Sequence, residues 1–454
     1  MIFKRIKSEG LAHYSYIIGD GTEAAVIDPR RDIDIYLKAA EEEGVKIKYI
    51  LETHRNEDYI IGSKKLAEKT YALIKHSDDQ LDYQYGESVV EGDKFKLGRL
   101  ELEAVHTPGH TKGSHSYILY DFDGSPWMVF SGDALFAGDI GRLDFYGADM
   151  IEEMAGRLYD ALYNKILPLG DGVILCPAHG AGSVCGSLIA EREWTTIGIE
   201  KRSNPRLQYS SREEFQKNVG EMHKKPAYFA EMEEMNLLSP LDSGHPFVPA
   251  LNAEEFEKLA AEDDTVILDT RTETEFSSAH ISGSLSIWSQ IISSFVGWLV
   301  PTDKKILLVN DGNYPGEIVR QLYRMGYDRI SGYLSRGILN WHMSGRKSEK
   351  VKTINVDKLC SLIDSGEDYW LLDIRKKEEI EKEGKIANAH EIPLTEIKYN
   401  LNQIEKDKVI YIFCGSGMRS MTAASILKRE IEADIKVVLG GLSGWSSTTC
   451  PIKD

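Results

Sequence analysis

Four candidate metal-ligating residues each follow a short apolar segment in the first 180 residues of the sequence. His54 ends the stretch ILETH, His110 lies in AVHTPGHTKGS, Asp133 in VFSGDALF and His179 in LCPAHGAGS. Apolar runs of this length predict strands, and the loops at one edge of a sheet lie near each other. Imidazole and carboxylate groups bind both zinc and iron. The spacing therefore predicts that these four side chains meet at a metal site.

A second reactive group lies near the C-terminus, in the stretch VIYIFCGSGMRSMTAASIL. A β-branched segment ends at Cys414, and a glycine-bearing loop leads into a predicted helix. The backbone N–H groups of such a loop point inward at the helix N-terminus, where they stabilise an anion, and Arg419 adds a fixed positive charge. We therefore predict that Cys414 is a nucleophile and that a persulfide formed on it is held by the loop residues Gly415, Ser416, Gly417 and Met418.

The segments that must position these groups differ in their predicted secondary structure. Residues 1–200 alternate strand-like runs with amphipathic helical patterns, and the early strands follow each other without a helix between them. This arrangement favours a mixed sheet sandwich with outer helices over a doubly wound parallel sheet. Residues 205–248 contain a charged helix that begins with a Ser211–Glu214 capping pattern, followed by a linker.

The last 200 residues contain an internal repeat. The stretch VILDTR at 266–271 returns as WLLDIR at 370–375, and KILLVND at 305–311 returns as KVIYIFC at 408–414. The repeat predicts one small α/β domain with a parallel sheet, present twice. In the first copy Asp311 and Gly316 stand where Cys414 and Arg419 stand in the second, so the first copy has neither nucleophile nor cation.

The composition narrows the classes of function. The chain has 454 residues and a net charge of -18, which argues against nucleic-acid binding because that needs clustered Lys and Arg. It has no apolar stretch long enough to span a membrane, and no signal peptide is expected from its first residues. Its five cysteines are scattered, do not form a disulfide framework and suit a reducing cytoplasm.

The motif order Thr-His, Thr-Pro-Gly-His-Thr, Ser-Gly-Asp and Pro-x-His-Gly resembles the metallo-β-lactamase superfamily over about residues 1–200. The resemblance implies an αββα sandwich. It also implies that a first metal site keeps His54, His110 and Asp133, with Asn56 in the place of a further histidine. A second site would keep Asp133 and two further ligands of this chain, Asp58 and His179, with Tyr59 in the place of a histidine.

The chemistry of the two ligand sets favours the first site. Two imidazoles and one carboxylate form the facial triad of non-haem Fe(II) oxygenases, which leaves positions open for substrate and O2. A neutral tyrosine, with a pKa of about 10, is a poor ligand at neutral pH. We therefore expect one Fe(II) per chain, with Zn(II) as the alternative. Asn56, Asp58, Tyr59 and His179 would then orient the ligands rather than bind the metal.

The stretches FAGDIGRLD, PAHGAGSVCG and EKRSNP resemble the persulfide dioxygenase branch of that superfamily, and CGSGMR over about residues 352–454 resembles the active-site loop of the rhodanese family. The loop is one residue shorter than that of related phosphatases, which suits a single sulfur atom. Together the resemblances imply oxidation of a low-molecular-weight thiol persulfide by O2 to sulfite, and transfer of sulfur through Cys414 to form thiosulfate. Arg142 is a candidate for binding an acidic thiol, with a salt bridge as its other interpretation.

The predicted organisation is α/β, with mixed α/β and α+β parts. It comprises a metallo-β-lactamase-like domain (1–204), a helical extension and linker (205–248), an inactive rhodanese homology domain (249–350) and a catalytic rhodanese domain (351–454). The expected partners are a small-molecule thiol persulfide, O2 and sulfite, without nucleic acid or membrane, and a homo-oligomer fits such an enzyme. Two alternatives stay open. One is a glyoxalase II-like zinc thioester hydrolase with a sulfurtransferase domain, and the other is a non-enzymatic sulfur-sensing scaffold.

Overall fold

The computed structural model describes residues 1–186, 188–239 and 244–450. The chain divides into two compact units. The first contains Met1–His245 together with Arg320–Gly326, and the second contains Pro246–Val319 and Tyr327–Asp454. Within the described residues, helices are too short or too polar to cross a lipid bilayer.

The first unit contains two six-stranded mixed sheets in which neighbouring strands follow the chain order. The first sheet consists of β1 (Ile2–Ser8), β2 (His13–Asp20), β3 (Glu23–Ile27), β4 (Lys46–Leu51), β5 (Leu73–His76) and β6 (Glu87–Ser88). The second consists of β7 (Lys94–Leu97), β8 (Leu100–His106), β9 (His115–Tyr120), β10 (Pro126–Gly132), β11 (Ile174–Pro177) and β12 (Thr195–Thr196). In each sheet antiparallel and parallel pairs occur side by side.

The helices of the first unit are α1 (Asp34–Glu43), α2 (Ser63–Thr70), α3 (Ile151–Ala161), α4 (Ile197–Ser203), α5 (Arg212–Val219) and α6 (Tyr228–Leu238). The first two pack against the first sheet, and α3, α4 and α5 pack against the second. Successive strand residues face opposite sides, so Ile18 packs between the sheets and Ile17 packs against Tyr36 of α1. On the other side, Leu158 of α3 packs against the second sheet. The predicted αββα sandwich is confirmed.

The second unit contains two five-stranded parallel sheets with the same topology, as the sequence repeat predicts. The first copy contains β13 (Ala250–Leu251), β14 (Thr265–Asp269), β15 (Leu285–Ser286), β16 (Lys305–Val309) and β17 (Ile330–Leu334), with helices α7 (Ala253–Ala260), α8 (Glu273–Ser278), α9 (Ile292–Leu299), α10 (Gly316–Arg324) and α11 (Gly337–Met343). The end of α10, from Arg320, is grouped with the first unit. The second contains β18 (Lys352–Asn355), β19 (Trp370–Asp373), β20 (Ala389–Glu391), β21 (Ile410–Phe413) and β22 (Ile435–Leu439), with helices α12 (Val356–Ser365), α13 (Lys377–Glu383), α14 (Met418–Glu430) and α15 (Gly441–Trp445). The boundaries predicted for the four domains stay a prediction.

The cysteines depart from the sequence prediction at one pair. A disulfide joins Cys360 of α12 to Cys450, which lies 90 residues further along the chain. No sequence pattern indicates this pair, because only the fold brings Cys450 onto α12. An oxidised pair is not what a reducing cytoplasm favours, and the cytoplasmic location stays a prediction.

We expect Cys450→Ser to destabilise the second unit. Closing a loop of this length restricts the unfolded chain by up to about 4 to 5 kcal/mol. The free energy of unfolding, measured in urea without reductant, should fall toward that extent. Adding a reductant should destabilise the wild-type chain and leave Cys450→Ser unchanged. Equal stabilities of the two proteins in both buffers would contradict the disulfide.

Candidate metal centre and sulfur-carrying loop

The candidate metal ligands come from loops at one end of both sheets of the first unit. His54 follows β4 of the first sheet, and His110 lies between β8 and β9 of the second. Asp133 and His179 follow β10 and β11, which are neighbouring parallel strands. Parallel strands end at the same edge, so the sandwich brings together all four side chains that the sequence singled out.

Three buried atoms of these residues face one another without a hydrogen-bond partner. The Oδ2 atom of Asp133 lies 3.8 Å from Nε2 of His54 and 3.5 Å from Nε2 of His110. Within the part of the chain that the structure describes, none of these three atoms has a hydrogen bond. Burying an unsatisfied polar atom costs about 1 to 3 kcal/mol. A cation held by all three atoms would remove that cost, so the residues fit a metal ion.

Hydrogen bonds to the other ring nitrogens orient the two imidazoles for metal binding. His110 donates from Nδ1 to the carbonyl oxygen of Arg142 at 2.9 Å. His54 donates from Nδ1 to Oγ1 of Thr53 at 2.8 Å, and the Thr53 hydroxyl donates to Asp28 at 2.7 Å. Each Nε2 atom is then left with its lone pair, as a metal ligand requires. Burial also lowers the pKa of His54 to about 4, so this imidazole is neutral at pH 7.

His179 holds two carboxylates of the site together. Its Nδ1 atom lies 2.8 Å from Oδ1 of Asp133, and its Nε2 atom lies 3.0 Å from Oδ2 of Asp58. Burial lowers the pKa of His179, but the two carboxylates outweigh burial and raise it well above its ordinary value. The imidazolium therefore supplies positive charge where members with two metals would place the second ion. Its assignment as an orienting residue stays a prediction.

Tyr59 and Asn56 occupy the two positions where the superfamily pattern has histidine. The phenol of Tyr59 is fully buried and its ring centroid lies 4.1 Å from that of His13. Burial raises the pKa of Tyr59 well above 10, so the phenol stays neutral and is a poor ligand. The Asn56 side chain donates to the carbonyl oxygen of His54 at 3.3 Å, within its own loop.

The loop of His54 is held by Asn236 of α6, which sequence reasoning missed. The Asn236 amide donates to the carbonyl oxygens of Asn56 and Tyr59 at 2.7 and 2.8 Å, and it accepts from the N–H of Ile61 at 2.8 Å. Asn236 is buried, which is unusual for asparagine. In the sequence, the only signal was a polar residue among the apolar residues of the stretch MNLL.

We expect Asn236→Ala to lower the free energy of unfolding of the first unit by about 1 to 3 kcal/mol, because three backbone groups lose their buried partner. Denaturant unfolding measures the change. The control is Asn218→Ala, which removes an exposed amide of α5 that bonds only within its own helix. If both variants were as stable as the wild type, Asn236 would not hold the loop.

Arg142, predicted as a substrate contact, is buried with its guanidinium facing Asp144. Its Nε and Nη2 atoms donate to the two Asp144 oxygens at 2.7 and 2.8 Å, and Nη2 also donates to the carbonyl oxygen of His223. The side chain thus forms the salt bridge that was its other interpretation, while its carbonyl oxygen orients His110. Contact with a substrate stays a prediction.

The loop that the sequence predicts to carry sulfur lies in the second unit, between β21 and α14. The Gly417 N–H donates to Sγ of Cys414 at 3.1 Å. Outward-facing carbonyl oxygens of the loop accept from the segment that follows β22: Ser416 from Gly440, Cys414 from Leu442 and Gly415 from Ser443. With its carbonyls fixed outward, the loop directs N–H groups inward, as an anion site needs. Gly417 has a φ of 112°, which favours glycine.

Arg419 points its charge at a carboxylate that sequence reasoning missed. Its Nη1 and Nη2 atoms donate to the two oxygens of Glu379, both at 2.7 Å. Glu379 also accepts from the Lys376 N–H at the start of α13. No local sequence pattern indicates this ion pair, because it joins α13 to α14 through the tertiary fold.

The matching loop of the first copy carries a carboxylate in place of the cysteine. Asp311 is exposed, and its Oδ1 atom accepts from the Asn313 N–H at 3.1 Å and from the Asn310 amide at 3.0 Å. Gly312 donates to the side chain of Asn310. This loop therefore holds a negative charge where the second copy has the Cys414 thiol.

Comparison with known families places the chain in a class. Residues 9–179 match the model of the metallo-beta-lactamase superfamily, and residues 252–344 and 355–448 each match that of the rhodanese-like domain. The chain belongs to the metallo-β-lactamase superfamily and carries two rhodanese-like domains after its lactamase-type domain. The resemblances to the metallo-β-lactamase superfamily and to the rhodanese family are confirmed.

Three relatives describe the similarity more closely. The chain is 31% identical over 221 residues to the mitochondrial persulfide dioxygenase ETHE1 of Bos taurus, a match that covers 46% of this chain and 77% of that protein. It is 30% identical over 219 residues to the hydroxyacylglutathione hydrolase GloC of Haemophilus influenzae, a match that covers 43% of this chain and 93% of that protein. The crystal structure of a metallo-beta-lactamase from Staphylococcus aureus subsp. aureus COL matches with a TM-score of 0.65 and 30% identity, over 74% of this chain and 98% of that one.

Proposed function

We propose that the chain is an iron-dependent persulfide dioxygenase coupled to a sulfurtransferase. The dioxygenase is supported by three buried atoms, one each of His54, His110 and Asp133, that have no hydrogen-bond partner within the described residues. Two imidazoles and one carboxylate suit a single Fe(II) with open positions. A metal ion held by His54, His110 and Asp133 would supply open coordination positions for a thiol persulfide and O2.

In the proposed oxidation a thiol persulfide, O2 and water give the free thiol and sulfite. The chain's own residues keep the ligands in place. Thr53 and the carbonyl oxygen of Arg142 hold the two imidazoles, and His179 holds Asp133. Glutathione, coenzyme A and bacillithiol persulfides are the substrates to compare.

The second half of the proposal is a sulfur transfer in two steps. The Cys414 thiolate attacks the outer sulfur of a second persulfide, and the thiol leaves as a thiolate. Sulfite then attacks the outer sulfur held on Cys414, which releases thiosulfate and restores the thiolate. The Gly417 N–H stabilises the anionic sulfur in each form. The first copy, about residues 249–350, is proposed to be non-catalytic because Asp311 and Gly316 stand where the second copy has Cys414 and Arg419.

A second candidate is a zinc-dependent thioester hydrolase, which the similarity to GloC favours. That chemistry uses metal-bound hydroxide. Superfamily members with two metals need further ligands at positions where this chain has a histidine already bonded to carboxylates and a tyrosine. Both nitrogens of His179 are bound to carboxylates, and Tyr59 is a neutral phenol. These observations support the dioxygenase over the hydrolase.

Oxygen uptake separates the two candidates. Purified protein given a thiol persulfide should consume O2 and release sulfite, and it should leave a glutathione thioester intact. Thioester cleavage without persulfide-dependent O2 uptake would support the hydrolase instead. Absence of both activities, with sulfur binding on Cys414 retained, would support the sensing scaffold.

A further inference from the structure

Glu57 is a buried carboxylate at the metal centre that neither the motif pattern nor the proposed reaction uses. Only 1% of its surface is exposed. Its Oε1 atom lies 3.1 Å from Nε2 of His110. His54, Glu57 and His110 offer ligand atoms that all lie within 4.8 Å of one another. The carboxylate therefore reaches the same space as the three predicted ligands.

The short distance between Glu57 and His110 is not a hydrogen bond. Across the described residues, Nε2 of His110 has no hydrogen-bond partner although Oε1 of Glu57 is close. Oε1 does accept from the Cys185 thiol, at a sulfur–oxygen distance of 3.4 Å. Two close atoms that do not point at each other are the arrangement expected of two ligands directed at a common ion.

The charge of Glu57 needs a cation that the surrounding side chains do not supply. A buried carboxylate is stable only when it is paired or binds a metal. In the described part of the chain, Glu57 forms no ion pair with lysine or arginine, and Arg142, the charged neighbour in the same pocket, is bound to Asp144. A histidine that binds a metal is neutral, so metal binding by His110 removes the basic group at ion-pair distance from Glu57. A metal ion held by His110 would replace it as the cation beside the carboxylate.

We propose that Glu57 is a fourth protein ligand of the metal, which makes the centre a set of two histidines and two carboxylates. The inference rests on the metal centre of the proposed function and extends it. Two carboxylates balance the charge of a divalent ion, so an anionic persulfide would bind by displacing Glu57 rather than by adding a third negative charge. The Cys185 thiol is placed to keep a hydrogen bond on the released carboxylate.

Metal affinity of the full chain tests this ligand independently of activity. Fe(II) is titrated against a fluorescent chelator under anaerobic conditions, with wild-type protein and Glu57→Gln, which keeps the shape of the side chain. We expect Glu57→Gln to bind Fe(II) about 10 to 100 times more weakly, a range that loss of supporting contacts already reaches at metal sites. The visible spectrum of the Co(II)-loaded protein should also change, because its intensity follows the number and type of ligands.

The matched control is Glu52→Gln, which changes a second buried glutamate close to the same loop. Glu52 accepts hydrogen bonds from the Tyr85 hydroxyl at both carboxylate oxygens, at 2.9 and 3.2 Å, so its side chain is satisfied without a metal. We expect its Fe(II) affinity and Co(II) spectrum to match the wild type. Equal affinity and spectra of Glu57→Gln and the wild type would overturn the proposal, and so would equal weakening by both variants.

Two further measurements keep the result interpretable. Circular dichroism confirms that Glu57→Gln is folded, and Glu57→Asp, which shortens the side chain but keeps its charge, should bind Fe(II) with an affinity between wild type and Glu57→Gln. If Glu57→Gln does not fold, an unchanged affinity of Glu57→Asp overturns the proposal. A wild-type chain that binds no Fe(II) would instead refute the metal centre itself, so the two failures are distinct.

Discussion

His110→Ala should reduce persulfide-dependent O2 uptake by at least about 100-fold, because even residues that only support a metal ligand are worth 10- to 100-fold. The substitution removes one of the three buried atoms that converge on the centre. An oxygen electrode measures uptake, and Fe(II) binding measures the cause. Iron content and O2 uptake should fall together.

His106→Ala is the control for that experiment. His106 lies at the end of β8, four residues before His110, but its Nε2 atom bonds to the carbonyl oxygen of Lys112 instead of facing the centre. Its O2 uptake should be close to that of the wild type. Unchanged O2 uptake in His110→Ala would refute the assignment of the dioxygenase to this centre.

Cys414→Ser should abolish thiosulfate formation and leave sulfite release intact. The serine hydroxyl cannot carry a persulfide, whereas the metal centre lies in the other unit and keeps all its ligands. Thiosulfate and sulfite are separated and quantified after reaction with a thiol persulfide under O2. We expect sulfite to accumulate in the variant in place of thiosulfate.

A control for Cys414→Ser is Cys176→Ala, which removes a free thiol buried between the two sheets of the first unit. Both products should form as in the wild type. Loss of sulfite as well as thiosulfate in Cys414→Ser, or loss of neither, would contradict the division of the two steps between the two units.

The sequence was sufficient to predict the parts of the site that local patterns determine. His54, His110, Asp133 and His179 each follow an apolar strand, and a sandwich of such strands brings their loops to one end. The duplicated α/β domain was likewise visible, because its two copies repeat strand and loop motifs at a constant spacing. The loop after Cys414 has the predicted form because strand, glycine and helix signals agree there.

What the sequence did not reveal depends on contacts between distant segments. Asn236 meets the His54 loop from a helix about 180 residues away, and Glu379 meets Arg419 across 40 residues. The Cys360–Cys450 pair is of the same kind. Glu57 was overlooked for another reason: it lies between two positions of a known motif, at a place where that motif specifies no residue.

The number and identity of metal ions bound per chain test the central claim most directly. Freshly purified protein, expressed with both iron and zinc available and kept anaerobic, is analysed for its elements and its protein concentration. One iron per chain, lost in His110→Ala, is the result that a single centre on His54, His110 and Asp133 predicts. Two zinc ions per chain, or no metal at all, would contradict it.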